Sequence, residues 1–386
     1  MLYWDTEYLK LVKRILREGI IEENRTGVDA VTVGSHVFNF EPNGEFPILS
    51  SKQLFIRQAI TEMFWIWQMG SNDVRELTKR GIHIWDQWKV DEDGIYRIYE
   101  PYGEYDADKE VEVIDPLSVP IDDPNGLIHE IKPKFDDNGE VMLAKSIIPG
   151  KTIRKAIYYG PKLANTIGTA YGFIVNRYGH TKNLIETLKK NPKDRKIVKS
   201  LWQDEFLRTA VLPSCVWATT WNTAGGKLNL NVMQRSCDVP LGLPFNVTQY
   251  AAFHRMIAKE TGFELGNMSY RIDNAHIYVN QLDGIEEQLR RESRYNRLRK
   301  YSVSDLEEYK KKLEYILSRI DKSDKDYDYY DTEYRIVDII MDPVKPELVL
   351  SDDVQSFFDY DNSREFKDVK VKNYKHMGKI KFNLTQ

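Results

Sequence analysis

Between residues 198 and 291 the chain switches repeatedly between two hydrophobic periods, and this switching constrains its fold more than any other feature. Residues 198–202, 210–219 and 227–234 read as strands, the last of them following the Ala224-Gly225-Gly226 turn. Residues 248–261 carry apolar positions at helical spacing and are closed by Gly262 in the C-cap position. Residues 270–279 return to strand character, and 284–291 begin another helix. Strands and helices interleaved in this way predict the α+β class, with a large, twisted, mixed β-sheet flanked by helices.

The flanking segments extend this plan. Residues 9–21 read as an amphipathic helix that ends near Gly19, before the polar turn Asn24-Arg25-Thr26-Gly27. Residues 31–40 alternate like a strand. Residues 53–69 are strongly apolar at helical spacing, with Glu62 set among Ile60, Met63, Phe64 and Trp65, and 72–80 and 181–190 read as further helices. From 91 to 165 Asp, Glu, Pro, Gly and Lys dominate, with strand-like pieces at 110–114 and 152–159, which predicts an inserted, solvated subdomain of hairpins and turns. A second insertion covers 295–345, with a helix at 304–320 and an Asp- and Tyr-rich turn or loop at 324–334. The whole reads as a single domain, 1–386, carrying two insertions.

Charge narrows the ligands. A formal net charge of −4 gives no whole-chain drive toward nucleic acid or an anionic membrane, so any anion must be held by a local cluster of Arg and Lys. That favours a small phosphorylated molecule over a polymer. No apolar run approaches the roughly 20 residues that span a bilayer. Two cysteines, Cys215 and Cys237, cannot make a disulfide framework and suit a reducing compartment. No close Cys/His spacing points to a metal, and the mixed, acidic start Met1-Leu-Tyr-Trp-Asp-Thr-Glu is not a signal peptide, so a cytoplasmic protein is expected.

The chemistry concentrates around Leu212-Pro213-Ser214-Cys215 and Gln234-Arg235-Ser236-Cys237-Asp238. A lone cysteine is more often buried and inert than reactive. If the two segments pair as neighbouring strands, however, Arg235 approaches Cys215, and a guanidinium beside a thiol favours the attacking thiolate. Cys237 reads as structural. In Leu241-Gly242-Leu243-Pro244-Phe245-Asn246, Asn246 stands at an expected helix start, where it is either a cap or an amide offering both a donor and an acceptor. That pair matches the N3–H and O4 edge of uracil. Glu62 in its apolar helix is expected to have a raised pKa and to shuttle protons, or else simply to pair with a neighbouring strand. His276 and Tyr278 lie two apart in a strand, on one face, as core groups or as ligands of a sugar hydroxyl.

Together with Asn24-Arg25-Thr26-Gly27, Ser51-Lys52, Ile60-Thr61-Glu62-Met63-Phe64-Trp65, Ile84-Trp85-Asp86-Gln87-Trp88, Thr169-Ala170-Tyr171-Gly172 and Ala275-His276-Ile277-Tyr278, these segments resemble the thymidylate synthase family, including its dUMP hydroxymethylases. They stand in family order over most of the chain outside the insertions. The resemblance implies that Cys215 adds to carbon 6 of dUMP, so that carbon 5 attacks the one-carbon unit of 5,10-methylenetetrahydrofolate. It implies a phosphate site of Arg25, Arg235 and Ser236, with Arg195 given across a homodimer interface. Asn246 matches the residue that reads uracil, and His276 and Tyr278 match the contacts to the deoxyribose 3′-hydroxyl. Tyr171 and Glu62 match the proton network at carbon 5, while Trp85, Trp88 and Asp238 match the folate side, with Asp238 also counted among the substrate contacts.

Some positions depart from the family pattern. Lys196 stands where a second arginine is usual, which keeps the charge but loses the fork. Asp273-Asn274 replaces Gly-Asp, and Val216 follows Cys215 where many members have His. The chain ends Asn383-Leu384-Thr385-Gln386, where synthases usually end in a small apolar residue. A polar tail, with Gln386 on the folate side, is expected to order a water at the reactive methylene and give 5-hydroxymethyl-dUMP, whereas hydride would give dTMP. That product and the insertions suit a divergent phage relative acting in the host cytoplasm. Two other classes stand beside this one: an inactive nucleotide- or RNA-binding relative, which would need no nucleophile, and a cysteine hydrolase, for which no His is placed to pair with Cys215.

Overall fold

The computed structural model describes residues 1–24, 26–101, 113–114 and 151–385. They form two compact units. One comprises Met1–Met63, Ile185–Val198 and Cys215–Gln386, the other Phe64–Leu184 and Lys199–Ser214.

The first unit is built on a mixed sheet in which His36–Phe40, Glu264–Ile272, Lys227–Gln234 and Val216–Asn222 lie side by side. The outer pairings are antiparallel and the central one, Glu264–Ile272 with Lys227–Gln234, is parallel. A smaller sheet in the same unit orders Ile20–Glu22, Ala30–Val33, Ala275–Tyr278 and Cys237–Asp238. The helix Gly242–Thr261 buries Phe253 against Trp221 of the sheet, ring centroids 5.5 Å apart, and against Phe357 at 5.2 Å. The helix Tyr3–Glu18 covers the first strands through Trp4, whose ring meets Phe38 edge-on at 4.9 Å. This is the expected α+β arrangement of a mixed sheet flanked by helices.

Several boundaries differ from those read in the sequence. The first helix runs Tyr3–Glu18 rather than 9–21, because Trp4 and Tyr8 extend its buried face toward the N-terminus. Beyond Gly19 the chain is already a strand. The single strand expected at 31–40 breaks at Gly34-Ser35 into two, which join different sheets. The strand at 270–279 divides likewise at Asp273-Asn274. The strand expected from 210 starts only at Val216, since Pro213 has no N–H to give to a ladder. The helix expected from 248 begins at Gly242. Pro244 is tolerated there because the first-turn N–H groups have no helical acceptor.

The stretch 295–345, expected to be a second insertion, is more regular than its composition suggests. Val303–Leu317 is a helix capped by Ser302, whose hydroxyl accepts from Asp305 N while Asp305 returns the bond. The stretch 324–334, expected to be a turn or loop, lies largely within a second helix, Tyr327–Met341. Its Asp and Tyr content hid an apolar stripe. Ile336 and Val337 are fully buried with Leu298, Leu306, Leu313 and Met377.

In the second unit Ile95–Pro101 pairs antiparallel with Lys151–Tyr158, which also pairs parallel with Val113–Ile114. Residues 102–112 and 115–150, the bulk of the subdomain expected at 91–165, lie outside the described residues. The apolar run 53–69 begins as the helix Ile56–Met63 and continues as a π-helical turn, Phe64–Gln68.

Candidate functional site

Cys215 is the residue immediately before the strand Val216–Asn222, and that strand pairs with Lys227–Gln234 so that Val216 faces Gln234. Arg235, one residue further, donates its backbone N–H to the Cys215 carbonyl at 2.9 Å. Its guanidinium then lies 4.0 Å from Cys215 Sγ. The antiparallel pairing therefore brings together the two side chains that the sequence could only suggest. Cys215 is half-buried, open enough to reach a ligand. Cys237 is buried, and desolvation pushes its thiol well above the ordinary range, which keeps it protonated.

Glu62 closes the helix Ile56–Met63 and is buried. Its Oε2 accepts a hydrogen bond from the Gln249 side-chain amide. Gln249 Oε1 in turn takes a bond from Asn246 Nδ2 at 3.4 Å. Asn246 is not the helix cap, because the helix starts at Gly242. It sits in the second turn with its side chain half-exposed. Gln249 belongs to no motif read in the sequence, although its i,i+3 spacing from Asn246 puts both amides on one helix face.

Asp238 Oδ1 accepts from Leu241 N at 3.0 Å and Oδ2 from Gln281 Nε2 at 2.9 Å. Burial raises its pKa against these bonds and against the charge of Lys52. Lys52 is itself buried, which lowers its pKa to about 8, and its ammonium is bonded to the Pro240 carbonyl. Gln281 also donates to Asn383 O at 3.0 Å, and Thr385 Oγ1 bonds to the Asn280 side chain, so the C-terminal segment is tied to the Asp238 region.

His276 and Tyr278 share a face as expected, their rings edge to face with centroids 5.0 Å apart. His276 Nδ1 bonds to Asn274 Oδ1 at 2.9 Å, while Asn274 Nδ2 donates to Thr32 Oγ1 at 3.0 Å. Burial lowers the His276 pKa to about 4, so the ring is neutral at pH 7 and offers Nε2 as an acceptor. Asn274, one of the departures from the family pattern, thus fixes the imidazole. Ser236 is half-exposed beside Arg235, and its carbonyl accepts from Gln234 Nε2. Arg195 is exposed and makes no hydrogen bond or ion pair among the described residues. Arg25 and Gln386, both expected at the site, lie outside the described residues.

Tyr171, Trp85 and Trp88 belong to the second unit, where they pack together. Trp85 meets Tyr171 and Trp88 edge-on, each at 5.5 Å between centroids. Trp85 and Tyr171 are buried and Trp88 is half-exposed. Tyr171 has φ 48°, a left-handed conformation that side chains other than glycine rarely hold. The next residue has to be Gly172, since a Cβ there would stand 1.9 Å from the Ser71 carbonyl oxygen.

Comparisons with known proteins show the family to which the chain is related. The family model described as thymidylate synthase matches residues 6–332. The thymidylate synthase of Clostridium beijerinckii is 32% identical over 293 residues, covering 76% of this chain and 84% of that protein. The thymidylate synthase of Bacillus phage phi3T is also 32% identical, over 311 residues, covering 76% of this chain and 85% of that one. Among solved structures, the thermostable thymidylate synthase A from Bacillus subtilis superposes with a TM-score of 0.61 at 27% identity, covering 99% of each chain. The chain belongs to the thymidylate synthase family.

Proposed function

We propose that the chain transfers a one-carbon unit from 5,10-methylenetetrahydrofolate to carbon 5 of dUMP, and that hydride completes the transfer to give dTMP. The observation that carries this reading is the half-buried Cys215 with the Arg235 guanidinium 4.0 Å from its sulfur, in a chain of this family. Cys215 Sγ adds to carbon 6, and the electron pair moves to carbon 5, which becomes nucleophilic. Arg235 and Ser236, with Arg25 and an Arg195 contributed across a homodimer interface, hold the phosphate. Asn246 reads the uracil edge, and His276 and Tyr278 take the 3′-hydroxyl. Glu62, held by Gln249, moves protons on and off the base, with Tyr171 assisting at carbon 5.

The donor set fits the folate. A flat, hydrogen-bonding pterin ring calls for aromatic faces and for polar anchors: in the second unit Trp85 and the half-exposed Trp88 would offer the former, and in the first unit Asp238, whose oxygens take two hydrogen bonds, would offer the latter. When bound, the folate supplies the one-carbon unit and, for a methyl product, the hydride.

A second reading, in which water finishes the reaction and the product is 5-hydroxymethyl-dUMP, rests on the polar C-terminal segment. The hydroxyl of Thr385 is engaged by Asn280, which weakens its case as a water-ordering group. The relatives at 32% identity, the phage protein included, are named thymidylate synthases, which supports hydride. The test is to incubate the protein with dUMP and methylenetetrahydrofolate and weigh the nucleotide. A gain of a methylene, with dihydrofolate absorbance, is expected. A gain equal to formaldehyde without dihydrofolate would establish the water route, and unchanged dUMP with no tritium release from 5-tritiated dUMP would sink both.

A further inference from the structure

We infer that the helix pair Val303–Leu317 and Tyr327–Met341 is a clamp for the segment 374–385, gripping its root and thereby holding its tip beside Asp238. The inference gives the pair a task that the proposed function leaves unassigned. Its link to turnover rests on that reading.

Two backbone bonds tie the root of the segment to the chain around Lys52. Met377 N donates to Ser50 O and Gln53 N to Gly378 O, each at 2.8 Å. The helix pair and the helix before it, Leu282–Leu298, supply the other contacts. Met377 is fully buried and completes the small core made by Leu306 and Leu313 of one helix with Ile336 and Val337 of the other. Lys375 reaches Asp338 Oδ2 at 2.9 Å and Asp342 Oδ2 at 2.8 Å. Asp338 also meets Lys310 at 2.7 Å, so one carboxylate joins both helices to the root. Arg291 donates to the carbonyls of Gly378, at 3.0 Å, and Lys379, at 2.9 Å.

Beyond Gly378, where φ is 95°, the chain turns and its contacts change in kind. The Lys52 ammonium stands 4.7 Å from the centroid of the Phe382 ring, Asn383 O accepts from Gln281, and Thr385 meets Asn280. Residues 381, 383 and 384 are exposed. A few polar contacts in solvent do not by themselves outweigh the entropy lost in ordering such a stretch. With residue 377 fixed, however, the tip samples only a small volume around Gln281, and its effective concentration there rises. Gln281 also donates to Asp238 Oδ2 at 2.9 Å, so docking of the tip is coupled to the placement of that carboxylate.

Trypsin reads the clamp directly. Lys379 and Lys381 are exposed, yet cleavage there requires the surrounding chain to leave its bonds. Met377→Ala in the full chain is expected to speed cleavage after these two lysines at least about tenfold, followed by mass, with cleavage elsewhere little changed. In the same variant the KM for methylenetetrahydrofolate is expected to rise several-fold while the affinity for dUMP holds. Should Met377→Ala fail to fold, the double variant Asp338→Asn, Asp342→Asn removes both carboxylates that meet Lys375. It is expected to move cleavage and KM in the same direction, by about two- to threefold. Unchanged cleavage after Lys379, or a rise shared equally by sites throughout the chain, would overturn the clamp. Faster cleavage with the folate KM unchanged would overturn its service to the site. Wild-type protein that resists trypsin at these lysines but does not turn over dUMP would instead overturn the proposed function and leave the clamp standing.

Discussion

The two cysteines illustrate how a few ångströms of local context set reactivity. Cys237 has the buried, acid-adjacent position that raises a thiol pKa, with Asp238 next to it and Cys215 contributing in the same direction. Cys215 is half-buried and faces a guanidinium. Iodoacetamide at neutral pH is therefore expected to alkylate Cys215 at least about tenfold faster than Cys237, and Arg235→Gln to slow the Cys215 reaction several-fold. Peptide mass mapping reads both rates. Preferential labelling of Cys237 would contradict this picture. The pairing itself was legible in the sequence only as a condition, that two segments become neighbouring strands. The register Val216 to Gln234 met it. Gln249 was not legible, because its meaning depends on Glu62, and no local pattern links two side chains so far apart.

At the scale of elements, the helices Val303–Leu317 and Tyr327–Met341 carry a buried charge as well as a small apolar core. Glu333 is fully buried, takes a hydrogen bond from Tyr309 at 2.9 Å, and lies 3.7 Å from Arg294 and 3.5 Å from Arg297. Removing the carboxylate leaves the enclosed Arg294 without that counter-charge, while Arg297 is half in solvent and loses less. Glu333→Ala is expected to cost about 2–4 kcal/mol in urea unfolding. A cost under about 1 kcal/mol would mean that the apolar stripe alone holds the pair. Composition misled the sequence reading here. Asp and Tyr suit a loop, yet Ile336 and Val337 recur on the face that meets Leu306 and Leu313. The split strands at 31–40 and 270–279 share one cause. A β period says which residues alternate, but not where a strand leaves one sheet for another.

At the scale of the whole molecule, the exposed Arg195 is the sharpest test of assembly. If it serves the site of a partner, mixed dimers of Cys215→Ser and Arg195→Glu chains contain one intact site each. Refolding an equal mixture of these two inactive variants should then restore about a quarter of wild-type turnover, since half the dimers are mixed and each has one good site of two. Pure variants and unmixed blends should stay inactive. No recovery would place Arg195 in its own chain's site, and an Arg195→Glu variant that stays active on its own would place it outside any site. The sequence by itself determined the class of fold and the family, and it named candidate side chains, because period and residue type are local properties. Only the tertiary structure decided which of those side chains meet: Arg235 with Cys215, Asn274 with His276, and Asn246 through Gln249 with Glu62. Those meetings depend on strand register and helix packing, which bring together groups that are remote along the chain.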